Sequence, residues 1–402
     1  MSAPRRLPVP EAVRAVLDGL RADGHEAVLV GGCVRELAAG RPVRDHDVAT
    51  SASPQEVLAR FPRAVPIGLR HGTVMVPTPA GPVDVTTWRG PDLPGDLARR
   101  DFTVNAMAWD PVDGVLTDPF GGQEDLRRGR LRAVGDAPAR LGEDPLRALR
   151  AARLVAELGL APDAALEAAL PAAAARLGEV AVERIRPELE RILVADHAEA
   201  ALAWMQRTGL DAATVGRTAP EAPRRVAALP ADLPLRLAAW LAHGPGAAPL
   251  PRLRFPRDRV QQIERLLAHH PVEQSVPPER PAAVRRLLAR LGEPDLERLL
   301  RLREAELAGS AGPGDADARS ALARLRETLA RVRRQGRLAL HRQDLALGGA
   351  DVMAILGVPP GPVVGRALAH LTECVLEDPG CNVPEKLAER LRAWWADQPD
   401  GP

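Results

Sequence analysis

Ala27-Val28-Leu29-Val30-Gly31-Gly32-Cys33-Val34-Arg35, followed a short stretch later by Asp45-His46-Asp47, decides how this chain is read. Glu26 to Val30 has the composition of a short apolar strand. The two glycines allow a tight turn, and Val34 to Leu37 begins a helix whose free N–H groups and dipole would face a phosphate, with Arg35 in its first turn. On an extended backbone, carboxylates at i and i+2 point the same way. Asp45 and Asp47 can therefore share a pair of Mg²⁺ ions that a nucleoside triphosphate also coordinates. One ion would lower the pKa of an attacking hydroxyl and the other would hold the leaving pyrophosphate. Asp-x-Asp also occurs in solvated loops, so the pair gains its meaning from the motifs downstream in the chain.

On the strand-like run Val83-Asp84-Val85-Thr86-Thr87, Asp84 shares a face with Thr86, opposite the apolar valines. It is either a third carboxylate for the ions or a solvated strand residue. In Arg99-Arg100-Asp101-Phe102-Thr103-Val104-Asn105-Ala106, the planar fork of Arg100 suits triphosphate oxygens, and Asn105 or Asp101 would orient the ribose or the loop. The plainer account pairs Asp101 with an adjacent arginine. Asp118-Pro119-Phe120-Gly121-Gly122 comes next, and then Glu143-Asp144-Pro145-Leu146-Arg147.

Asp144 before Pro145 makes a good helix start, with an N-cap followed by proline at the first helical position. Base chemistry adds a sharper reading. Cytosine and adenine each offer an amino donor beside a ring-nitrogen acceptor, and uracil and guanine offer the reverse. A carboxylate and a guanidinium three residues apart, Asp144 and Arg147, would accept the first pair and refuse the second. Arg150 and Arg153 extend the same face by threes, either as a solvated stripe or as contacts to phosphates.

These blocks, in this order, resemble the class II tRNA nucleotidyltransferase family of CCA-adding enzymes and bacterial poly(A) polymerases. The likeness is dense from about residue 26 to 195. It implies an α+β architecture, with a small mixed-sheet nucleotidyltransferase head (1–135) followed by an all-helical neck (136–200), body (201–317) and tail (318–402). It implies catalysis by Asp45, Asp47 and Asp84, with Mg²⁺ on Asp45 and Asp47. Gly31, Gly32, Arg35, Arg100, Asn105, Asp144, Arg147, Arg150 and Arg153 would bind nucleotide. The partners would be the tRNA 3′ end and CTP, with ATP for full CCA synthesis. Glu36, where aspartate is common, and His46, where an apolar residue is usual, depart from the family pattern without removing a ligand.

Ile67-Gly68-Leu69-Arg70-His71-Gly72-Thr73-Val74 looks like the segment of tRNA-end enzymes and disfavours polyadenylation, with His71 structural or substrate-positioning. Only Gly90 to Ala98 separates Arg89 from Arg99, where full CCA enzymes usually carry a longer mobile loop. A short, proline-stiffened link is a poor lever for switching from C to A, so CC addition is the expected activity. Full CCA synthesis and poly(A) addition stand as alternatives. A non-catalytic RNA-binding adaptor on the same fold is the competing class, and it would be marked by loss of a metal ligand or base reader.

Composition permits this reading. The 402 residues exceed one ordinary domain, and 46% are apolar. Aromatics are only 2%, with no tyrosine, so an RNA would be gripped by its phosphates rather than by stacking. The net charge of +1 excludes a uniformly basic coat and leaves arginine patches, Lys386 being the single lysine. Cys33, Cys374 and Cys381 lack the spacing of a zinc site or disulfide framework, no stretch approaches membrane-spanning length, and a cytoplasmic location is expected. Strands are predicted at Ala27 to Val30, Thr73 to Pro77 and Val83 to Trp88, with helix from about residue 144 onward and a linker at Ala308 to Asp317. The motifs Val182 to Leu189 and Gly349 to Met353 resemble the neck and tail. No His-Asp constellation of a phosphohydrolase appendage is evident.

Overall fold

The computed structural model describes residues 9–43, 45–68, 72–310, 312–335 and 341–398. His71 therefore lies outside the described residues. The chain divides into two compact units, one of Met1–Pro223 with Arg252–Arg254 and one of Arg224–Pro251 with Phe255–Pro402.

The first unit opens with α1 (Glu11–Ala22), β1 (Ala27–Val30), α2 (Gly32–Ala38), β2 (His46–Thr50), α3 (Pro54–Arg60), β3 (Val65–Gly68), β4 (Thr73–Thr78) and β5 (Gly81–Thr87). It continues through α4 (Leu93–Leu97), β6 (Ala108–Asp110), β7 (Val115–Thr117), α5 (Gly122–Arg127) and β8 (Arg130–Leu131). Strands β1, β4 and β5 fall where branched residues predicted them, whereas β3, β6, β7 and β8 were not predicted. They form one seven-stranded mixed sheet in the order β3-β4-β5-β2-β1-β6-β7. Within it β2 and β5 run parallel, and the other described pairings are antiparallel.

Helix α1 buries Val13, Val16, Leu17 and Leu20, a helical stripe that packs with Leu29, Val48, Val74, Val83 and Val85 on one sheet face. The other face carries a smaller cluster of Val30, Ala49, Leu97 and Ala108. Because strand side chains alternate, Asp47 and Asp84 project from this thinly covered face while Val48, Val83 and Val85 enter the main core.

Next come the helices α6 (Ala137–Glu143), α7 (Leu146–Leu158), α8 (Ala164–Ala175), α9 (Val182–Val194), α10 (Ala198–Thr208) and α11 (Leu210–Thr214). The alanines Ala148, Ala151, Ala152 and Ala156 are buried on α7, where small side chains let neighbouring helices approach closely. The expected unbroken helical run after residue 144 needs one correction. Gly159, in the left-handed conformation, ends α7, and Ala161–Pro162 (β9) pairs in parallel with β8. Backbone bonds Ala161 N to Gly129 O (2.7 Å) and Asp163 N to Leu131 O (3.0 Å) close this ladder, and no side-chain periodicity announces it.

The second unit is helical in its described residues. The predicted linker is a turn between helices Glu293–Ala308 and Asp315–Arg334 of that same unit, closed by Asp315 Oδ2 accepting from Ser310 Oγ at 2.6 Å. Its last helices, Gly349–Leu356, Pro362–Glu377 and Pro384–Ala396, share a core around Val352, Leu371 and Leu387.

The Asp118 to Gly122 motif acts as a structural staple. Asp118 accepts from the amides of Gly122 (2.7 Å) and Gln123 (2.9 Å) at the start of α5. From α5, the fully buried Asp125 accepts from Thr103 Oγ1 (2.7 Å) and pairs with Arg130 and Arg132. A Cβ at Gly122 would collide with the Thr103 carbonyl. Gly122→Ala should therefore destabilise the first unit by roughly 1–3 kcal/mol, read as a lowered urea midpoint.

Candidate active site

The parallel register of β2 and β5 sets Asp47 directly beside Asp84. Asp45 stands exposed just before β2, close enough for its charge to act on both. Burial pushes the Asp47 carboxyl up to about 6; the Arg100 charge opposes this, while Asp84 and Asp45 reinforce it. Burial and then Asp45 raise Asp84 as well. Asp47 and Asp84 adjoin, with Asp45 near enough to act on both, and such a group of carboxylate oxygens is the donor set a hard divalent cation takes, so the site fits Mg²⁺.

Gly31 joins the sheet to α2 with φ 72°, a conformation open to glycine at little cost. A Cβ there would sit 3.0 Å from Arg100 Nη1 and 3.6 Å from Asp47 Oδ2. The bare backbone thus lets a guanidinium and a carboxylate meet over the turn. Gly32 opens the helix with Arg35 folded over it. Arg35 is buried, donates to Glu36 Oε1 (2.8 Å) and hydrogen-bonds Asn105, so both side chains brace the turn from beneath. Glu36, one of the departures from the family pattern, holds Arg35 and also pairs with Arg41. His46, the other, is buried on the opposite side of β2 from Asp47. Cys33 is inert, since burial and the nearby Asp47 charge push its thiol up to about 11.

Arg100 reaches the site while paired with the buried Asp96 at 3.0 Å. Asp101 pairs with neither adjacent arginine. It accepts from Arg150 (2.8 Å), Asn105 (3.1 Å) and the Phe102 amide (2.8 Å). Burial alone would raise the Asp101 carboxyl, but the Arg150 charge and these hydrogen bonds hold it well below the usual carboxylate range. Arg150 is thus anchored to the head. Arg153 is only 11% exposed and faces Glu188 of α9 at 3.1 Å.

Asp144 caps α7 as predicted: its backbone is extended after α6, Pro145 already has helical dihedrals, and Oδ1 accepts the Leu146 amide at 3.1 Å. Its Oδ2 accepts from Arg184 at 2.6 Å. Arg147 donates to the Arg140 carbonyl (2.7 Å), Glu143 Oε2 (2.5 Å) and the Arg99 carbonyl (3.3 Å). Sequence reasoning missed Arg184, Glu188 and Asp96, the partners that hold these side chains. Arg184 and Glu188 stand one helical turn apart in the Val182 to Leu189 motif, a spacing that could have flagged them as facing α7.

The fold is that of a nucleotidyltransferase. Residues 27–132 match the family model "Poly A polymerase head domain" and residues 159–213 match "Probable RNA and SrmB- binding site of polymerase A". A curated CCA-adding enzyme of Geobacillus stearothermophilus is 35% identical over 96% of each chain. The CC-adding tRNA nucleotidyltransferase of Shouchella clausii is 45% identical over 47% of this chain and 50% of its own. The crystal structure of a Bacillus stearothermophilus CCA-adding enzyme in complex with CTP superposes with a TM-score of 0.77, at 32% identity and 98% coverage of both chains. The chain belongs to the CCA-adding enzyme family of class II nucleotidyltransferases.

Asp101→Asn leaves Arg150 with Glu188, at 3.9 Å, as its remaining counter-charge, so at pH 7 the first unit should lose roughly 1–3 kcal/mol. The native carboxyl is depressed, so its stabilisation is full above the unfolded pKa of about 4 and drains away as pH falls below it. Denaturant melts at pH 7 and pH 3 should show the gap between variant and parent narrowing in acid.

Proposed function

We propose that this enzyme rebuilds the 3′ end of tRNA without a nucleic-acid template, adding C from CTP and then A from ATP with release of pyrophosphate. The observation that carries the reading is the meeting of Asp45, Asp47 and Asp84 beside the Gly31-Gly32 turn, in a chain matched end to end by a relative named for CCA addition. In this reading Asp45 and Asp47 hold Mg²⁺ and Asp84 completes the acidic set. The ions, when bound, favour the alkoxide form of the RNA hydroxyl and neutralise the pyrophosphate. Arg100, at the Gly31 turn, is placed to meet triphosphate oxygens, and the α2 amides add donors there. Arg35 and Asn105 keep that turn rigid. Arg150 and Arg153 add positive charge behind the nucleotide.

Asp144 and Arg147 read the base edge. Arg184 fixes the Asp144 carboxylate, while Glu143 and two carbonyls fix the Arg147 fork, so both are oriented before the nucleotide arrives. Such preorganisation turns two hydrogen bonds into selection for C and A. The parts 1–135, 136–200, 201–317 and 318–402 would act as head, neck, body and tail, the last two carrying tRNA. The unpaired Cys33, Cys374 and Cys381 are consistent with a reducing cytoplasm, and no helix among the described residues is long and apolar enough to cross a membrane.

CC-only addition is the second reading, favoured by the segment between Arg89 and Arg99. It is a short helix, α4, capped by Asp92 on the Gly95 amide (2.8 Å) and tied through Asp96 to the Arg89 amide (3.1 Å) and to Arg100. A turn so anchored offers little travel as a lever. Full CCA synthesis is preferred because the relatives matched over the whole chain carry that name. A catalytically silent adaptor is disfavoured by the complete carboxylate set.

A tRNA trimmed of its last three nucleotides, incubated with CTP, ATP and Mg²⁺ and then sequenced, should carry CCA. Products ending uniformly in CC would transfer the assignment to the second reading. Asp45→Ala should drop incorporation to background while tRNA binding persists, and unchanged turnover would remove the acidic set from the mechanism. Asp144→Ala should erode the preference for CTP over UTP, measured as the kcat/KM ratio, by roughly 1–3 kcal/mol, about ten- to a hundredfold.

A further inference from the structure

The helical second unit gathers His243, His270 and Glu306 from three separate places in the chain, with one potential ligand atom of each lying within 4.8 Å of the others. His243 comes after helix Leu233–Leu241, His270 after helix Arg257–Ala268, and Glu306 lies near the end of helix Glu293–Ala308. His243 Nε2 is 2.5 Å from Glu306 Oε1, and the two imidazole rings are 5.4 Å apart. We propose that His243, His270 and Glu306 form a binding site for a zinc-type transition-metal ion, separate from the acidic set in the head.

The independent support is His270. Its side chain is only 3% exposed, and its Nε2 faces Glu306 Oε2 at 3.1 Å while Nδ1 has no hydrogen-bond partner. A buried imidazole aimed at a carboxylate beside a second imidazole, with its other nitrogen unpaired, is the neutral ligand form that a metal ion would hold in place. Ligands at about 2.0–2.2 Å around a tetrahedral ion stand roughly 3.3–3.5 Å apart. The nitrogen-to-carboxylate separations here, 2.5 and 3.1 Å, are shorter than that, so rotations of exposed His243 and of the carboxylate must open the set to admit an ion. Two imidazoles and one carboxylate, with water in the fourth position, select a borderline-soft ion over Mg²⁺, which prefers an all-oxygen octahedron.

The surrounding charges bear on the site. Arg303 donates to Glu306 Oε2 at 2.7 Å and pairs with the buried Glu273 at 2.6 Å, which orients the carboxylate from outside. Arg225 Nη1 lies 3.3 Å from Oε1, yet its Nε and Nη2 donate to the carbonyls of Ala239 and Ala242. Arg225 therefore keeps those partners if an ion draws Oε1 away. The helix ends at Leu241 and Ala242 is extended, and His243 follows with φ 58°.

The test uses the full chain carrying Asp47→Ala, to weaken metal binding in the head, and reads binding rather than RNA extension. Titration with Zn²⁺ alone should show one tight equivalent, and Co²⁺ should give the visible bands of a four-coordinate ion with imidazole ligands. His243→Gln and His270→Asn should each weaken Zn²⁺ by about a hundredfold and abolish the cobalt bands, with circular dichroism unchanged for the exposed His243→Gln. Absence of a tight equivalent, or binding and bands that survive in His243→Gln, overturns the site. Neither result touches the assignment of nucleotidyl transfer.

Discussion

The parallel pairing of β2 with β5 is the constraint on which the rest of the molecule depends. It places Asp47 against Asp84 on the sparsely covered face of the sheet and sends Val48, Val83 and Val85 into the apolar core on the other. Side chains alternate with a period of two, so slipping either strand by one residue would bury a carboxylate and expose a valine. Core packing and the acidic set are thus one choice of register. The cost appears in the raised Asp47 and Asp84 carboxyls, where charge is concentrated at the sheet surface before anything is bound to relieve it.

A second level of order joins the sheet to the helices beyond it in the chain. Arg150 holds Asp101, Arg140 donates to the Ala98 carbonyl at 2.8 Å, and Arg147 reaches the Arg99 carbonyl. Each is a guanidinium spanning two elements, and each arrives on a segment adjoining the proposed base-reading pair. With a single lysine, the chain has built this seam from planar forks that bind two or three acceptors at once, a geometry that an ammonium point charge does not reproduce. Orientation of Asp144 and Arg147 is therefore coupled mechanically to the segment that carries Arg100. In the proposed function the sheet would supply the chemistry and the seam would set where a base lies relative to it.

Much of the site could be read from local pattern. Gly31-Gly32 predicts a strand-to-helix turn because few other residues tolerate that backbone, and Asp45-His46-Asp47 predicts paired carboxylates because strand geometry aligns i and i+2. Asp84 lay on a recognisable strand, but only pairing with β2 brought it beside Asp47. For Asp101, local proximity to two arginines was misleading, because its partner, Arg150, lies on α7, far along the chain. Asp144 had the composition of a cap and acts as one, but its second oxygen belongs to Arg184, which no local pattern announces.

By itself the sequence determined the identity and local geometry of the elements: the glycine turn, the acidic pair, the amphipathic stripe of α1 and the helical character of the remainder. These arise from backbone sterics and hydrophobic periodicity within a few residues. Tertiary structure alone decided which charges meet, including Asp47 with Asp84, Asp101 with Arg150, Asp144 with Arg184, and His270 with His243 and Glu306. Such contacts depend on strand register and helix packing over long separations. Arginine and carboxylate side chains, so numerous here, carry no local signal of which partner they will take.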